Sequence, residues 1–185
     1  MHATRRAVIA ALAALPPATL LAQAATAEPT PACGNDAATP KQTAGPYYKP
    51  ASPQRHDLRS GITGGEPIDL AGHVLDTRCR PLAGVIVEIW HADNAGNYDN
   101  SGFQLRGWQR TDASGRWAFE TLIPRFYSLR TAHYHFRLQP PDGGALVTQL
   151  YFPDHPRNKG DRIFDPRLVM RLERTGRSPV GRFDF

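Results

Sequence analysis

The stretch Val85-Ile-Val-Glu-Ile-Trp90 carries the strongest strand pattern in the chain. It is rich in β-branched residues, and alternation puts Val85, Val87 and Ile89 on one face and the other three side chains on the opposite face. Further short segments with strand character, separated by turn clusters, cover residues 68–75, 106–110, 116–122, 131–139, 146–152 and 168–173. No segment of helical period reaches three turns. Strands that recur about every eight to twelve residues are typical of an all-β sandwich or barrel.

The predicted fold is an antiparallel β-sandwich with an extended N-terminal arm and few helices. The 185 residues are enough for one domain with a substantial core. The sandwich is assigned to residues 67–174. Residues 28–66 are rich in Pro, Gly, Thr and Ala, which predicts an arm wrapped over the domain or a partly disordered leader. Residues 175–185 are expected to form a C-terminal tail.

Residues 1–27 are predicted to be a cleavable signal peptide. A basic head with Arg5-Arg6 precedes an apolar run, and Ala25-Thr-Ala27 supplies the small-x-small pattern of a cleavage site. The apolar run is too short and too broken for a membrane span, and a buried N-terminal helix is the alternative. The paired arginines fit a twin-arginine signal, although they are also common in ordinary basic heads. We expect an exported protein, periplasmic or secreted.

The net charge bears on whether the protein binds nucleic acid, and the cysteine content bears on whether it forms a disulfide. Without residues 1–27, Lys+Arg falls from 22 to 20 against 17 acids, so the net charge falls from +5 to +3. The basic residues are scattered along the chain, so no nucleic-acid partner is expected. In an oxidising compartment Cys33 and Cys79 would form a disulfide between arm and body, and two free buried thiols are the alternative.

Histidine and tyrosine are the candidates for chemistry. His133 and His135 are two residues apart in a predicted strand and therefore share a face. Tyr127 precedes that strand, Arg130 lies between them, and Tyr98 closes the loop after the strongest strand. A phenol ionises with a pKa of about 10, so binding as phenolate needs a strongly charged Lewis acid. If the four side chains converge, they favour ferric iron over zinc, whose sites prefer thiolate, imidazole, carboxylate or water.

Each candidate also has a simpler interpretation. A His-x-His pair is found more often at a surface or an interface than in a metal site. The two tyrosines fit ordinary core or rim positions, and Arg130 fits a surface charge. A zinc-dependent hydrolase built on the histidines would need a carboxylate ligand and a nearby general base, and no suitably spaced Asp or Glu is found. The bare pattern supports a metal-binding β domain as a hypothesis and no more.

Seven motifs follow one another in order between about Gln42 and Asp165. They are Thr43-Ala-Gly-Pro-Tyr-Tyr48, Gly72-His-Val-Leu-Asp76, Pro81-Leu-Ala-Gly84, Val87-Glu-Ile-Trp-His-Ala-Asp-Asn-Ala-Gly-Asn-Tyr98, Arg110-Thr-Asp-Ala-Ser-Gly115, Arg130-Thr-Ala-His-Tyr-His-Phe136 and Thr148-Gln-Leu-Tyr-Phe152. In this order and spacing they resemble the intradiol ring-cleavage dioxygenases, the non-haem ferric enzymes that include protocatechuate and catechol dioxygenases. The resemblance covers about two-thirds of the chain.

The resemblance implies an activity and a set of roles. Such an enzyme inserts both atoms of O2 into a catechol-type aromatic and cleaves the ring between the hydroxyl-bearing carbons to a muconate-type diacid. In the family, the tyrosine that matches Tyr127 leaves the iron when a catechol binds. Arg130 would stabilise negative charge developing on the ring, and Gln149 would shape the substrate pocket. The implied Fe(III) ligands are Tyr98, Tyr127, His133 and His135.

The chain departs from the family pattern in three places. Pro124-Arg-Phe126 stands before Tyr127 where the family commonly has Pro-Gly, which predicts a stiffer loop. His91 replaces a glutamine that many members carry, and we interpret it as a variant rather than a group supporting the metal. The sequence shows no counterpart of the N-terminal helical domain through which catechol and hydroxyquinol dioxygenases dimerise, so assembly into a homo-oligomer is left open.

A non-catalytic, exported β-sandwich that binds carbohydrate or a cell-envelope partner is the alternative function. Gly72-x-Val-x-Asp76 followed by Pro81-Leu-Ala-Gly84 also occurs in transthyretin-like and carboxypeptidase-regulatory-like sandwiches. Those domains lack the Tyr/Tyr/His/His set, which this chain has. The set therefore favours the enzyme.

Overall fold

The structure is a computed structural model and describes residues 38–174, 176 and 178–185. These residues form eight strands: β1 (Pro67–His73), β2 (Ile86–Trp90), β3 (Arg106–Arg110), β4 (Arg116–Leu122), β5 (His133–Gln139), β6 (Leu146–Tyr151), β7 (Arg171–Glu173) and β8 (Val180–Arg182). Two 3-10 helices, Asn158–Gly160 and Pro166–Leu168, are the only helical segments described. The predicted signal peptide and Cys33 lie outside the described residues. In the described part of the chain, no helix is long and apolar enough to cross a membrane.

The strands form two four-stranded sheets, which confirms the all-β sandwich. One sheet has the order β3-β2-β5-β6 and is antiparallel throughout. The other has the order β4-β1-β8-β7, in which β1 pairs antiparallel with β4 but parallel with β8. The antiparallel expectation thus holds for every strand pair in the two sheets except β1 and β8.

The main hydrophobic core joins the inward faces of the two sheets. Val87, Ile89 and Phe136 contribute from the first sheet, and Leu70 and Phe119 from the second. Strand β5 is buried on both faces, because a second apolar cluster around Trp90 covers the face of the first sheet that is turned away from the core. This outer face carries the candidate site.

The arm closes one side of the sandwich. Two backbone hydrogen bonds join it to Trp108 of β3, both at 3.1 Å: the N–H of Arg55 donates to the carbonyl of Trp108, and the N–H of Trp108 donates to the carbonyl of Pro53. A few residues later the N–H of Leu58 donates to the carbonyl of Glu120 in β4 at 2.8 Å. The arm therefore bonds to an edge strand of each sheet, and these edges are not left open for pairing with another chain.

The C-terminal residues differ from the expected tail. Strand β8 lies inside its sheet between β1 and β7, and Phe183 and Phe185 are buried in the main core. The strand has three residues, one of them Gly181, so its sequence carries too little β-propensity to be recognised alone. Its position depends on contacts with strand β1, far away in sequence.

Candidate metal centre

The register of three strands brings the candidate residues to one face. His135 of β5 is paired with Trp90 of β2 on one side and with Gln149 of β6 on the other. His133 is paired with Tyr151 one row further along. Directly paired residues point to the same face of a sheet, so these five side chains form a continuous patch. The rings of Trp90 and His135 are stacked, with centroids 5.0 Å apart.

Two loops add the tyrosines, and the four predicted ligands form a closed ring. The ring centroids are 5.5 Å apart for Tyr98 and Tyr127 and 5.7 Å apart for Tyr127 and His133. They are 4.8 Å apart for His133 and His135 and 6.1 Å apart for His135 and Tyr98. Residues separated by up to 37 positions thus meet at one place on the outer face, with each ring next to two others.

Both histidines are buried and are neutral at pH 7. Burial, with a smaller contribution from the Arg130 charge, lowers the pKa of His133 to about 4. Burial, followed by the repulsion that a protonated His133 ring would exert, lowers the pKa of His135 as well. Nδ1 of His133 lies 2.7 Å from the carbonyl oxygen of Thr131, and since a carbonyl can only accept, Nδ1 carries the proton. The lone pair of His133 is therefore on Nε2, which faces Nε2 of His135 at 3.1 Å.

This donor set fits a metal ion. Metal-bound histidines commonly donate their other N–H to a carbonyl, as His133 does to Thr131. Metal–nitrogen bonds of about 2.1 Å leave neighbouring ligand atoms of one ion about 3 Å apart, close to the Nε2–Nε2 separation. The hydroxyl of Tyr98 is buried, interacts with the neighbouring Tyr127 phenol and has no hydrogen-bond partner of good geometry among the described residues. A buried polar atom without a partner is costly, and a cation would satisfy it.

The tyrosines are essential to any metal site here. Within the described ranges, no three His, Cys, Asp or Glu side chains are grouped so that they could hold a metal. A metal bound by His133 and His135 would therefore need the phenol oxygens. Burial, followed by the neighbouring Tyr127, raises the pKa of Tyr98, so its phenol stays protonated unless a cation offsets the cost of burying phenolate.

Arg130 is fixed next to this ring by two side chains. Its Nε donates to Oδ2 of Asp161 at 2.9 Å, and Nη2 donates to Oε1 of Gln149. The amide group of Gln149 donates in turn to the carbonyl of Thr43 in the arm at 2.9 Å. Gln149 is fully buried, so it acts as a rigid connection between Arg130 and the arm. Two of the three predicted catalytic residues, Arg130 and Gln149, thus lie in one hydrogen-bond network.

The arm covers the ring of four side chains. Tyr47 is stacked on Tyr98, with centroids 4.5 Å apart and planes 17° apart, and meets Tyr127 edge-on at 6.0 Å. Tyr48 packs on Trp90 instead, at 4.9 Å. Gly45 comes so close that an added Cβ would lie 3.3 Å from Cε1 of His135. Both aromatic residues of the arm therefore pack on aromatic rings of the domain.

Asp161 was missed in the sequence. It pairs with Arg130 across 31 positions and also accepts the backbone N–H of Thr131 at 3.0 Å, but a single Asp in a loop carries no pattern.

His91 is not in the ring. Its Nε2 lies 2.7 Å from Oγ1 of Thr121 in β4, so it connects the end of β2 to the second sheet.

Comparison with known proteins identifies the family. The family model described as Dioxygenase matches residues 43–179. Catechol 1,2-dioxygenase 2 of Acinetobacter lwoffii is 32% identical over 160 residues, which cover 72% of this chain and 58% of that protein. The protocatechuate 3,4-dioxygenase beta chain of Burkholderia cepacia is 35% identical over 135 residues, or 60% of this chain and 57% of that one.

A solved structure has a similar fold over most of its own length. The dioxygenase domain of a dioxygenase carbohydrate-binding protein fusion from Streptomyces sp. SirexAA-E superposes with a TM-score of 0.77 and is 45% identical. The match covers 80% of this chain and 96% of that domain. By contrast, the chain spans less than two thirds of the two curated relatives. With the family model matching most of the sequence, the chain belongs to the intradiol ring-cleavage dioxygenase family.

Proposed function

We propose that this protein is a ferric intradiol dioxygenase that inserts both atoms of O2 into a catechol-type aromatic and yields a muconate-type diacid. The observation that carries the proposal is the closed ring of Tyr98, Tyr127, His133 and His135 on the outer face of the first sheet. Family membership and the names of the relatives support it.

The chemistry of the donors favours Fe(III) as the metal. Phenols buried beside neutral imidazoles ionise only next to a hard, highly charged cation. When bound, such an ion supplies Lewis acidity that lowers the pKa of phenolic oxygens, those of a catechol included. Tyr98, Tyr127, His133 and His135 would hold it. The N–H of His133 that donates to Thr131 keeps that ring oriented.

The remaining residues would orient the substrate and exclude water. Arg130 carries a positive charge whose field lowers the pKa values of both histidines, so it acts at the ring of four side chains. The same field would stabilise negative charge developing on a bound aromatic. Gln149 keeps the guanidinium in place, and Tyr47 forms an aromatic wall beside the two tyrosines.

The absorbance spectrum and oxygen uptake of one sample test the proposal. After iron supplementation the purified protein is expected to be reddish-brown from tyrosinate-to-iron charge transfer. Adding members of a small catechol panel should shift the band and consume O2. The substitution His133→Ala should remove both iron and colour. A colourless, iron-free wild-type protein would contradict the proposal and favour the non-catalytic binding module.

We also propose that the protein is exported and that Cys33 pairs with Cys79. Cys79 is disulfide-bonded, which is typical of an oxidising compartment. The basic head and the small-x-small pattern within residues 1–27 support a cleaved signal. Mass spectrometry of the secreted protein under non-reducing conditions should show a start near residue 28 and a Cys33–Cys79 peptide pair. An intact Met1 would contradict the export proposal.

A further inference from the structure

One side chain holds both sequence neighbours of Tyr127. The guanidinium carbon of Arg157 lies 4.2 Å from the centroid of the Phe126 ring, within the range of a cation–π contact. Nη2 of the same guanidinium donates to the carbonyl of Ser128. Arg157 therefore contacts the residue before Tyr127 and the residue after it, from a loop that follows strand β6.

Arg157 is itself well anchored. Its backbone N–H donates to Nδ1 of His155 at 3.3 Å. This imidazole nitrogen of His155 also lies 2.7 Å from Oγ1 of Thr131. The ring of His155 meets Phe126 edge-on, with centroids 6.1 Å apart. Since the carbonyl of Thr131 fixes His133, the loop that carries Arg157 also supports a second member of the ring of four.

The turn that carries Tyr127 needs such support. Ser128 has φ of +47°, a left-handed conformation that non-glycine residues rarely adopt without being held in it. Its carbonyl is the one that Arg157 binds. The turn is closed by the N–H of Arg130, which donates to the carbonyl of Tyr127 at 2.8 Å.

We propose that Arg157 is a positioning residue for Tyr127. By binding Phe126 and Ser128 together, it keeps the phenol at its place beside His133 and restricts how far the turn can move. The positioning is a property of the turn itself. Its consequence for metal binding rests on the proposed function, in which Tyr127 is a ligand.

The first test uses metal-free protein, so that it does not depend on iron. Amide hydrogen exchange is measured for wild type, Arg157→Ala, Arg157→Lys and Lys159→Ala. Lys159 is an exposed cation in the 3-10 helix that follows Arg157 and has no such contacts among the described residues, so its removal controls for lost charge. Losing a cation–π contact and a hydrogen bond should speed exchange of the Arg130 N–H by about tenfold. Arg157→Lys should restore part of the protection, and Lys159→Ala should match wild type.

The second test measures ferric affinity, by competition with a chelator, and the charge-transfer band. Arg157→Ala should bind Fe(III) several-fold more weakly and show a shifted band, whereas Lys159→Ala should show neither change. Equal exchange in Arg157→Ala and Lys159→Ala would overturn the assignment whether or not iron binds. Faster exchange with unchanged affinity and band would overturn the consequence for metal binding, because Arg157 would then hold the turn without placing the phenol at the metal. If no variant binds iron, the proposed function fails, while the exchange result still decides whether Arg157 holds the turn.

Discussion

At the scale of single residues, the ion pair between Arg130 and Asp161 makes the sharpest prediction. The side chain of Asp161 is almost fully buried and that of Arg130 is 17% exposed. Asp161→Asn keeps an acceptor for the N–H of Thr131 but leaves the guanidinium without its counter-charge. Breaking a buried pair in this way should lower the free energy of unfolding by roughly 3 kcal/mol at pH 7, measured by urea denaturation. Asp142→Asn, at an exposed turn, is the matched control and should be neutral.

The same pair predicts a pH dependence. Burial opposes ionisation of Asp161, but hydrogen bonds from Arg130, Thr131 and Ile163 outweigh it, so the pKa is lowered from 3.8. A carboxyl with a lowered folded-state pKa stabilises the fold above its unfolded value and loses that contribution as the pH falls through the folded value. The stability difference between wild type and Asp161→Asn should thus be constant from neutral pH to about pH 5 and shrink below about pH 4. A difference that grows on acidification would contradict the assignment.

At the scale of elements, the arm depends on a small residue in β3. A Cβ added at Gly107 would lie 2.7 Å from Cδ2 of Leu58 and 2.9 Å from the carbonyl oxygen of Arg55. Gly107→Ala should therefore push the arm off the sheet edge and destabilise the protein by roughly 1–3 kcal/mol, measured by urea denaturation. Gly160→Ala is the matched control, since its added Cβ meets nothing within 4 Å. If both variants unfold at the same urea concentration as wild type, the arm is not packed as described.

How far the sequence predicts each element follows from where its stabilising contacts lie. The predicted bounds of strands β3 and β4 agree with the structure to the residue, because their β-prone residues flank a clear turn. The segment predicted as 168–173 is a strand only from Arg171, since Asp165 accepts the N–H of Arg167 and caps a 3-10 turn that begins at Pro166. The His-x-His pair and the order of the motifs predicted which side chains form the ring. They gave no indication of Asp161 or Arg157, whose roles depend on loops that meet only in the folded chain.

At the scale of the whole molecule, the chain's last residues complete the sandwich. Phe185 packs on Trp117 and Phe136, with centroids 5.4 and 5.0 Å apart, and its N–H donates to the carbonyl of His73 at 2.8 Å. Phe185→Ala should cost about 3–5 kcal/mol, the usual range for a buried Phe. Leu129→Ala, which truncates a side chain that is 74% exposed, should change stability by less than about 0.5 kcal/mol. Equal urea midpoints for the two variants would mean that the C-terminal residues are dispensable.

The position of the candidate centre has an evolutionary consequence. Its wall is supplied by Tyr47 and Gly45, from a segment without regular structure, whereas the core between the sheets is built from other side chains. Under the proposed function, mutations in residues 42–48 are therefore expected to change which aromatic rings are accepted and to leave the core between the sheets in place. A saturation library of this segment, screened on several catechols, should yield altered preferences at far higher frequency than an equal library in strand β4.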